Sequence, residues 1–214
     1  QAGRYEVDLS PILIVSTDDH VTDGQSSTSN NDCATESKAC SLTGSMTFPF
    51  ATTGVTMVTK FRMTSTVTAN ERIFSFDLQG DPSPPTGEFE LFRHGSTGSL
   101  YFNIAYIGTC HVDHTFTFGQ DVDLTVWIRY NPSTQEMEMS VNNQIDTKSG
   151  CVMSTKTMEA VKFGTSKTNG DPSNMVLAGF QAFGRFLTET EIRAVADSIV
   201  FSADDGVAVC LSCP

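Results

Sequence analysis

Two short stretches set acidic side chains at alternate positions: Glu88 with Glu90 in "EFELF", and Glu136 with Glu138 in "EMEMS". On a β strand, residues at i and i+2 share a face. Glycoside hydrolysis with retention needs two carboxyl groups ~5 Å apart, one as acid and one as nucleophile. Either pair is therefore a candidate catalytic pair. The solvent side of any alternating strand carries the same pattern, and neither stretch holds an intervening Asp or a third acid. The solvent-face reading is the preferred one.

Three loops are rich in oxygen ligands: "STDDHVTD", "FDLQGD" and "NGDPSN". A hard cation such as calcium takes several carboxylate and carbonyl oxygens at once. No EF-hand spacing is present, and turn carboxylates commonly cap their own backbone. The expected site, if calcium binds, joins Asp77 or Asp81 with Asp171. "CHVDH" places His111, Asp113 and His114 beside Cys110, a set that a borderline metal accepts only if the side chains converge. Among the aromatics, Trp127 is expected in the core. Tyr101, opposite the Leu100/Phe102 face of its strand, is the expected ligand-binding surface aromatic. No Gly-x-Ser-x-Gly elbow, phosphate-binding loop or dinucleotide fingerprint occurs.

Six cysteines, Cys33, Cys40, Cys110, Cys151, Cys210 and Cys213, form an even set in a Ser/Thr-rich chain. That favours disulfides and an oxidising, extracellular compartment, either secreted or at the cell surface. Fifteen pairings exist. Cys33–Cys40 as a local staple and Cys110–Cys151 between neighbouring hairpins come first. That leaves Cys210–Cys213, or a link from the tail to the N-terminal loop or to another chain.

The elements that must position these groups are nearly all strands. In "VTMVTKFRM" the residues Val55, Met57, Thr59, Phe61 and Met63 alternate with more polar neighbours. "EFELFRHGSTGSLYFNIAYIG" reads as a hairpin, and "LTVWIRY" and "EMEMSV" flank Asn131-Pro132-Ser133-Thr134-Gln135 as a clearer one. Asn142-Asn143 tolerates positive φ, so the chain turns again there. Residues 16–45 read as a long polar loop. Helical periodicity begins only at Thr188. That residue fits as N-cap with Glu191 at N3, a capping box, while Leu187 and Ile192 stand where a hydrophobic staple would. Ile192, Val195, Ala196 and Ile199 make one apolar stripe. These elements give a single antiparallel β sandwich closed by one helix.

The element order resembles a laminin-G-like domain of the concanavalin A-like class, the branch that includes pentraxins. The resemblance rests on "FPFATTGVTMVTKFRM" followed by "RIFSF", on "DVDLTVWIRYNPSTQEMEMSVNNQ" with Trp127 at the Trp position, and on "AGFQAFGRFLTETEIRAV". It covers roughly residues 46–199. The chain departs from the family pattern where Ile128 follows Trp127 and where the pentraxin calcium run is not legible. The resemblance implies an all-β fold, a two-sheet antiparallel jelly-roll sandwich with one short C-terminal helix. One domain is expected over residues 1–214, with a Cys-containing tail at 201–214.

A chain of 214 residues can bury one full core. Its formal net charge of −12 argues against nucleic acid, heparin-like polyanions and anionic membranes. No apolar run approaches the ~18 residues of a membrane span. The expected function is an extracellular, non-catalytic recognition or adhesion domain, binding carbohydrate or an extracellular protein. The alternatives are a glycoside hydrolase on the same fold, or a structural module that self-associates through its N-terminal loop or its tail.

Overall fold

A computed structural model describes residues 11–16, 20–21, 40–63, 70–78, 89–95, 100–104, 110–114, 118, 121–153, 155–164 and 175–201. Among them run thirteen strands and one helix. The strands are β1 (Leu13–Ser16), β2 (His20–Val21), β3 (Cys40–Phe48), β4 (Val55–Met63), β5 (Glu71–Leu78), β6 (Phe89–Arg93) and β7 (Leu100–Ile104). They continue as β8 (Cys110–His114), β9 (Asp123–Asn131), β10 (Glu136–Val141), β11 (Gln144–Ser149), β12 (Lys156–Phe163) and β13 (Met175–Phe183). Helix α1 (Glu189–Ser198) closes the order.

Two sheets form the sandwich. One has the order β1-β13-β4-β9-β10-β11, with β2 also on β13; the other has the order β3-β12-β5-β6-β7-β8. Every described pairing is antiparallel. The jelly-roll sandwich with one C-terminal helix is thus the fold observed. Phenylalanine dominates the core between the sheets, where Phe74, Phe163 and Phe180 meet edge-to-face, with Phe180 ring centroids 5.2 Å from Phe74 and 5.3 Å from Phe163. Such rings add specific geometry to a large buried apolar area.

Part of the stretch read as a loop is sheet. β2 falls inside residues 16–45, and β3 begins at Cys40, so Cys40 starts a strand. "CSLTGSMTF" hides its strand character because small and hydroxylated residues blur the apolar alternation. The β9–β10 hairpin turns through Asn131–Gln135 as expected, with Gln135 at φ 54°. Asn142 and Asn143, at φ 48° and 70°, then reverse the chain into β11.

The helix lies on the outer face of the seven-stranded sheet. Leu187, Ile192, Val195, Ala196 and Ile199 pack there on Val58, Trp127, Ala178 and Phe183. Both halves of the capping box are present: the Glu191 amide donates to Thr188 Oγ1, and the Thr188 amide donates to the Glu191 carboxylate. The approach to the helix is pinned from the sheet. Thr56 Oγ1 donates to the Arg185 carbonyl and accepts from the Leu187 amide, each at 2.9 Å. At the other end, Lys60 Nζ donates to the Ile199 carbonyl at 2.8 Å, placing a cation at the negative pole of the helix.

Candidate functional site

Strands β12, β5, β6, β7 and β8 lie side by side, and their register sorts residues into an inner and an outer row. The inner row is Phe163, Phe74, Leu91, Phe102 and Val112, each the cross-strand partner of the next. One step along lies the outer row Lys162, Ser75, Glu90, Asn103 and His111. A bulge between Arg72 and Phe74 resets the alternation, so that Arg72 partners Phe92, and Phe92 partners Tyr101, and Tyr101 partners Asp113. Bulges re-aim side chains in this way.

The outer face is a place where polar groups are sheltered. Ser75 is 1% exposed and Glu90 4%, although both alternate with core residues and point away from the core. The Arg72 side chain is 12% exposed. Its Nε stands 2.6 Å from Glu90 Oε2, and its guanidinium carbon lies 4.3 Å above the Phe92 ring. Carboxylate and ring together fix a planar, permanently charged fork. His111 Nε2 and Asp113 Oδ2 sit 3.7 Å apart at the sheet edge. Lys162 is half-buried at the other end of the row. A cation, carboxylates, an imidazole and aromatic surface therefore converge on one broad face.

A second buried pair is structural in its setting. Arg93 Nε donates to Glu71 Oε2 at 2.7 Å, with the guanidinium 5.8 Å from the Phe118 ring. Arg93 alternates with Phe92 and so turns to the core side. On the other sheet, Arg129 Nε donates to Glu138 at 2.7 Å and Nη1 donates to the Leu187 carbonyl at 3.0 Å. Its guanidinium stacks between Trp127 and Phe186, at 5.0 and 4.5 Å. This cation ties the entry of the helix to the sheet.

The residues singled out in the sequence are distributed unevenly over this frame. Glu90 lies on the sheltered outer face, with Arg72 as its ion-pair partner; Glu88 is outside the described residues. Glu136 and Glu138 lie on β10, in the opposite sheet from Glu90. Asp77 is on β5 as the partner of Ala160, while Asp81 and Asp171 are outside the described residues. Tyr101 stands in the outer row by register. Trp127 is buried, between sheet and helix. Cys110 and Cys151 are joined by a disulfide, which removes the thiol from the "CHVDH" cluster; Cys33, Cys210 and Cys213 are outside the described residues. Arg72 and Phe92 were missed. Their only signal was an arginine and polar serine set in the Phe-rich strand "ERIFSFDL", and the bulge scrambles its phase.

No protein family and no curated protein matches the chain by sequence. Solved structures match by shape. The CBM40 of the Ruminococcus gnavus IT-sialidase, bound to α2,3 sialyllactose, superposes with a TM-score of 0.59 at 13% identity, over 87% of this chain and 99% of that one. The shared fold is a two-sheet jelly-roll sandwich. The NanB sialidase from Streptococcus pneumoniae matches with a TM-score of 0.59 at 11% identity, over 87% of this chain but 28% of its own. The Trypanosoma rangeli sialidase matches with 0.53 at 13%, over 77% and 28%. The chain thus spans nearly the whole of a carbohydrate-binding module and about a quarter of the sialidases. These likenesses are to a CBM40 and to sialidases, and none of them is to a laminin-G or pentraxin domain, on which the expected resemblance rested.

Proposed function

We propose that the chain is a non-catalytic carbohydrate-binding module that holds a sialylated glycan on the outer face of its six-stranded sheet. The observation that carries the reading is the Arg72 guanidinium, fixed on Phe92 and Glu90 on that face. A sugar carboxylate matches the geometry of a guanidinium fork. Glu90 supplies acceptors for ring hydroxyls, and Phe92 offers apolar surface to the ring. Similarity to a module bound to sialyllactose supports the ligand class by analogy. The Cys110–Cys151 disulfide fits an extracellular location. The paired-glutamate hydrolase is less favoured, since Glu90 and Glu138 are each engaged by an arginine.

Calorimetric titration with α2,3- and α2,6-sialyllactose, with lactose as control, tests this reading. Sialyllactose should bind, lactose should not, and Arg72→Gln should weaken binding by roughly tenfold or more, the cost of losing one charged hydrogen-bonding partner. Equal binding of lactose, or full binding by Arg72→Gln, would sink the proposal. Repeating the titration in calcium and in chelator tests the Asp77, Asp81 and Asp171 site: affinity lost in chelator supports calcium there, and unchanged affinity removes it from the binding step.

A further inference from the structure

The helix roofs only part of the seven-stranded sheet. Val58, Trp127, Ser140 and Ile145 are successive cross-strand partners on its outer face. Val58 and Trp127 lie in the cluster under α1. The roof stops there, and a cleft of about 40 Å³ opens between the first turns of the helix and strands β10 and β11. Its floor is the Trp127 indole, Ile192 and Ser140, all buried. Its rim carries Asn143, Ile145, Glu189 and Arg193, all exposed.

Ser140 is the informative residue. It is 0% exposed, and its Oγ makes no hydrogen bond. A buried hydroxyl left without a partner is costly, and native structures rarely keep one without a use. Alanine or valine would fill a strand position beneath a helix without that cost. Ser140 lines a small cleft with an indole and an isoleucine, and a lining of that kind suits something bearing both an apolar group and a hydrogen-bonding group. The space suits a substituent of a few heavy atoms rather than a whole ring. An acetamido group has the required parts: a methyl for Trp127 and Ile192, and an amide for Ser140. The ring that carries it would rest on Ile145, within reach of Asn143, Glu189 and Arg193 for its hydroxyls.

We infer that this cleft is a second carbohydrate subsite, specific for the N-acetyl group of an N-acetylated sugar. It lies on the sheet opposite the sialylated-glycan face and does not rest on that reading. Trp127 is the only tryptophan of the chain, so its fluorescence reports the site directly. Titration with N-acetylglucosamine should give a saturable fluorescence change, and titration with glucose should give none. Ser140→Ala should weaken the N-acetylglucosamine response by about fivefold, the loss of one hydrogen bond, and Ile145→Ala should weaken it independently. An absent response, an equal response to glucose, or parental affinity in both variants would overturn the inference. Ile145 is 46% exposed, so its truncation tests the cleft even if Ser140→Ala disturbs the fold.

Discussion

Removing the Cys110–Cys151 disulfide should cost about 4 kcal/mol. Cys110 opens β8, the edge of the six-stranded sheet, and Cys151 follows β11, the edge of the other. The bond therefore closes one open side of the sandwich. It spans 41 residues. In the chain-entropy description, cross-linking a loop of that length removes about 13 cal/mol/K from the unfolded ensemble, which is about 4 kcal/mol at 25 °C. Both sulfurs are buried, and the Tyr130 hydroxyl donates to the Cys151 carbonyl at 2.7 Å, so the backbone is held independently of the bond. A Cys110→Ala/Cys151→Ala variant should thus fold and be weaker chiefly through its unfolded state. Urea denaturation should show the loss in free energy, and thermal melting a fall of roughly 8–16 °C for a domain of this size. Amide exchange should rise first in β8 and β11. A loss below about 1 kcal/mol, or unchanged exchange at these edges, would refute the closure account.

Thr188→Ala should cost about 1 kcal/mol, since it removes the oxygen that accepts from the Glu191 amide; urea denaturation reads the loss. Burial alone would raise the Glu191 carboxyl, but hydrogen bonds from the Thr188 backbone and hydroxyl and from Arg185 outweigh it and hold it below the usual carboxylate range. Its contribution is therefore complete above its unfolded value and is lost as pH falls through the lower folded value. Glu191→Gln should flatten that part of the stability–pH curve, and an unchanged curve would contradict the assignment. Gly54→Ala should destabilise by roughly 1–3 kcal/mol, because Gly54 has φ +80° and a Cβ would meet the Tyr130 carbonyl oxygen; a neutral melt would argue against it. Arg93→Met should cost about 3–5 kcal/mol by taking the cation away from the buried Glu71 carboxylate, and Glu71→Gln in the same chain should recover part of the loss.

Where structure depends on neighbours in sequence, it was legible. The helix announces itself because cap, staple and apolar stripe all lie within residues 187–199, and the β9–β10 hairpin because its turn chemistry lies within five residues. Strands at edges were harder. β11, "QIDTKS", is exposed along most of its length, so no apolar period marks it. Register shifts at Arg72/Phe74, Met158/Ala160 and Leu177/Gly179 break the alternation that would otherwise identify faces. The site suffers from the same limit more severely. Glu90 was noticed for its spacing from Glu88, but its partner is Arg72 on the preceding strand. Nothing in either local stretch encodes that contact; it exists only once β5 and β6 pair in one register. Cys40 was read into the loop for a related reason, since hydroxylated small residues pair as well in a sheet as they serve in a loop.

The helix also decides which faces a ligand can use. A sandwich has two outer faces, and each must meet water, a covering element or a ligand. Here the seven-stranded sheet spends its outer apolar residues on α1, and it spends Arg129 on tying the helix entry to Glu138 and the Leu187 carbonyl. The described helix does not reach the six-stranded sheet. Its outer face nevertheless holds Ser75 and Glu90 nearly out of water, with a guanidinium clamped over an aromatic ring. Burying a charge pair on a face away from the core gives little net stability, because desolvation offsets the attraction. Stability alone therefore explains Arg72 and Glu90 poorly. On the proposed reading this fixed cation and its carboxylate neighbour meet a sugar, and the gap beside Ser140 lies at a margin of the opposite sheet that the described helix does not cover.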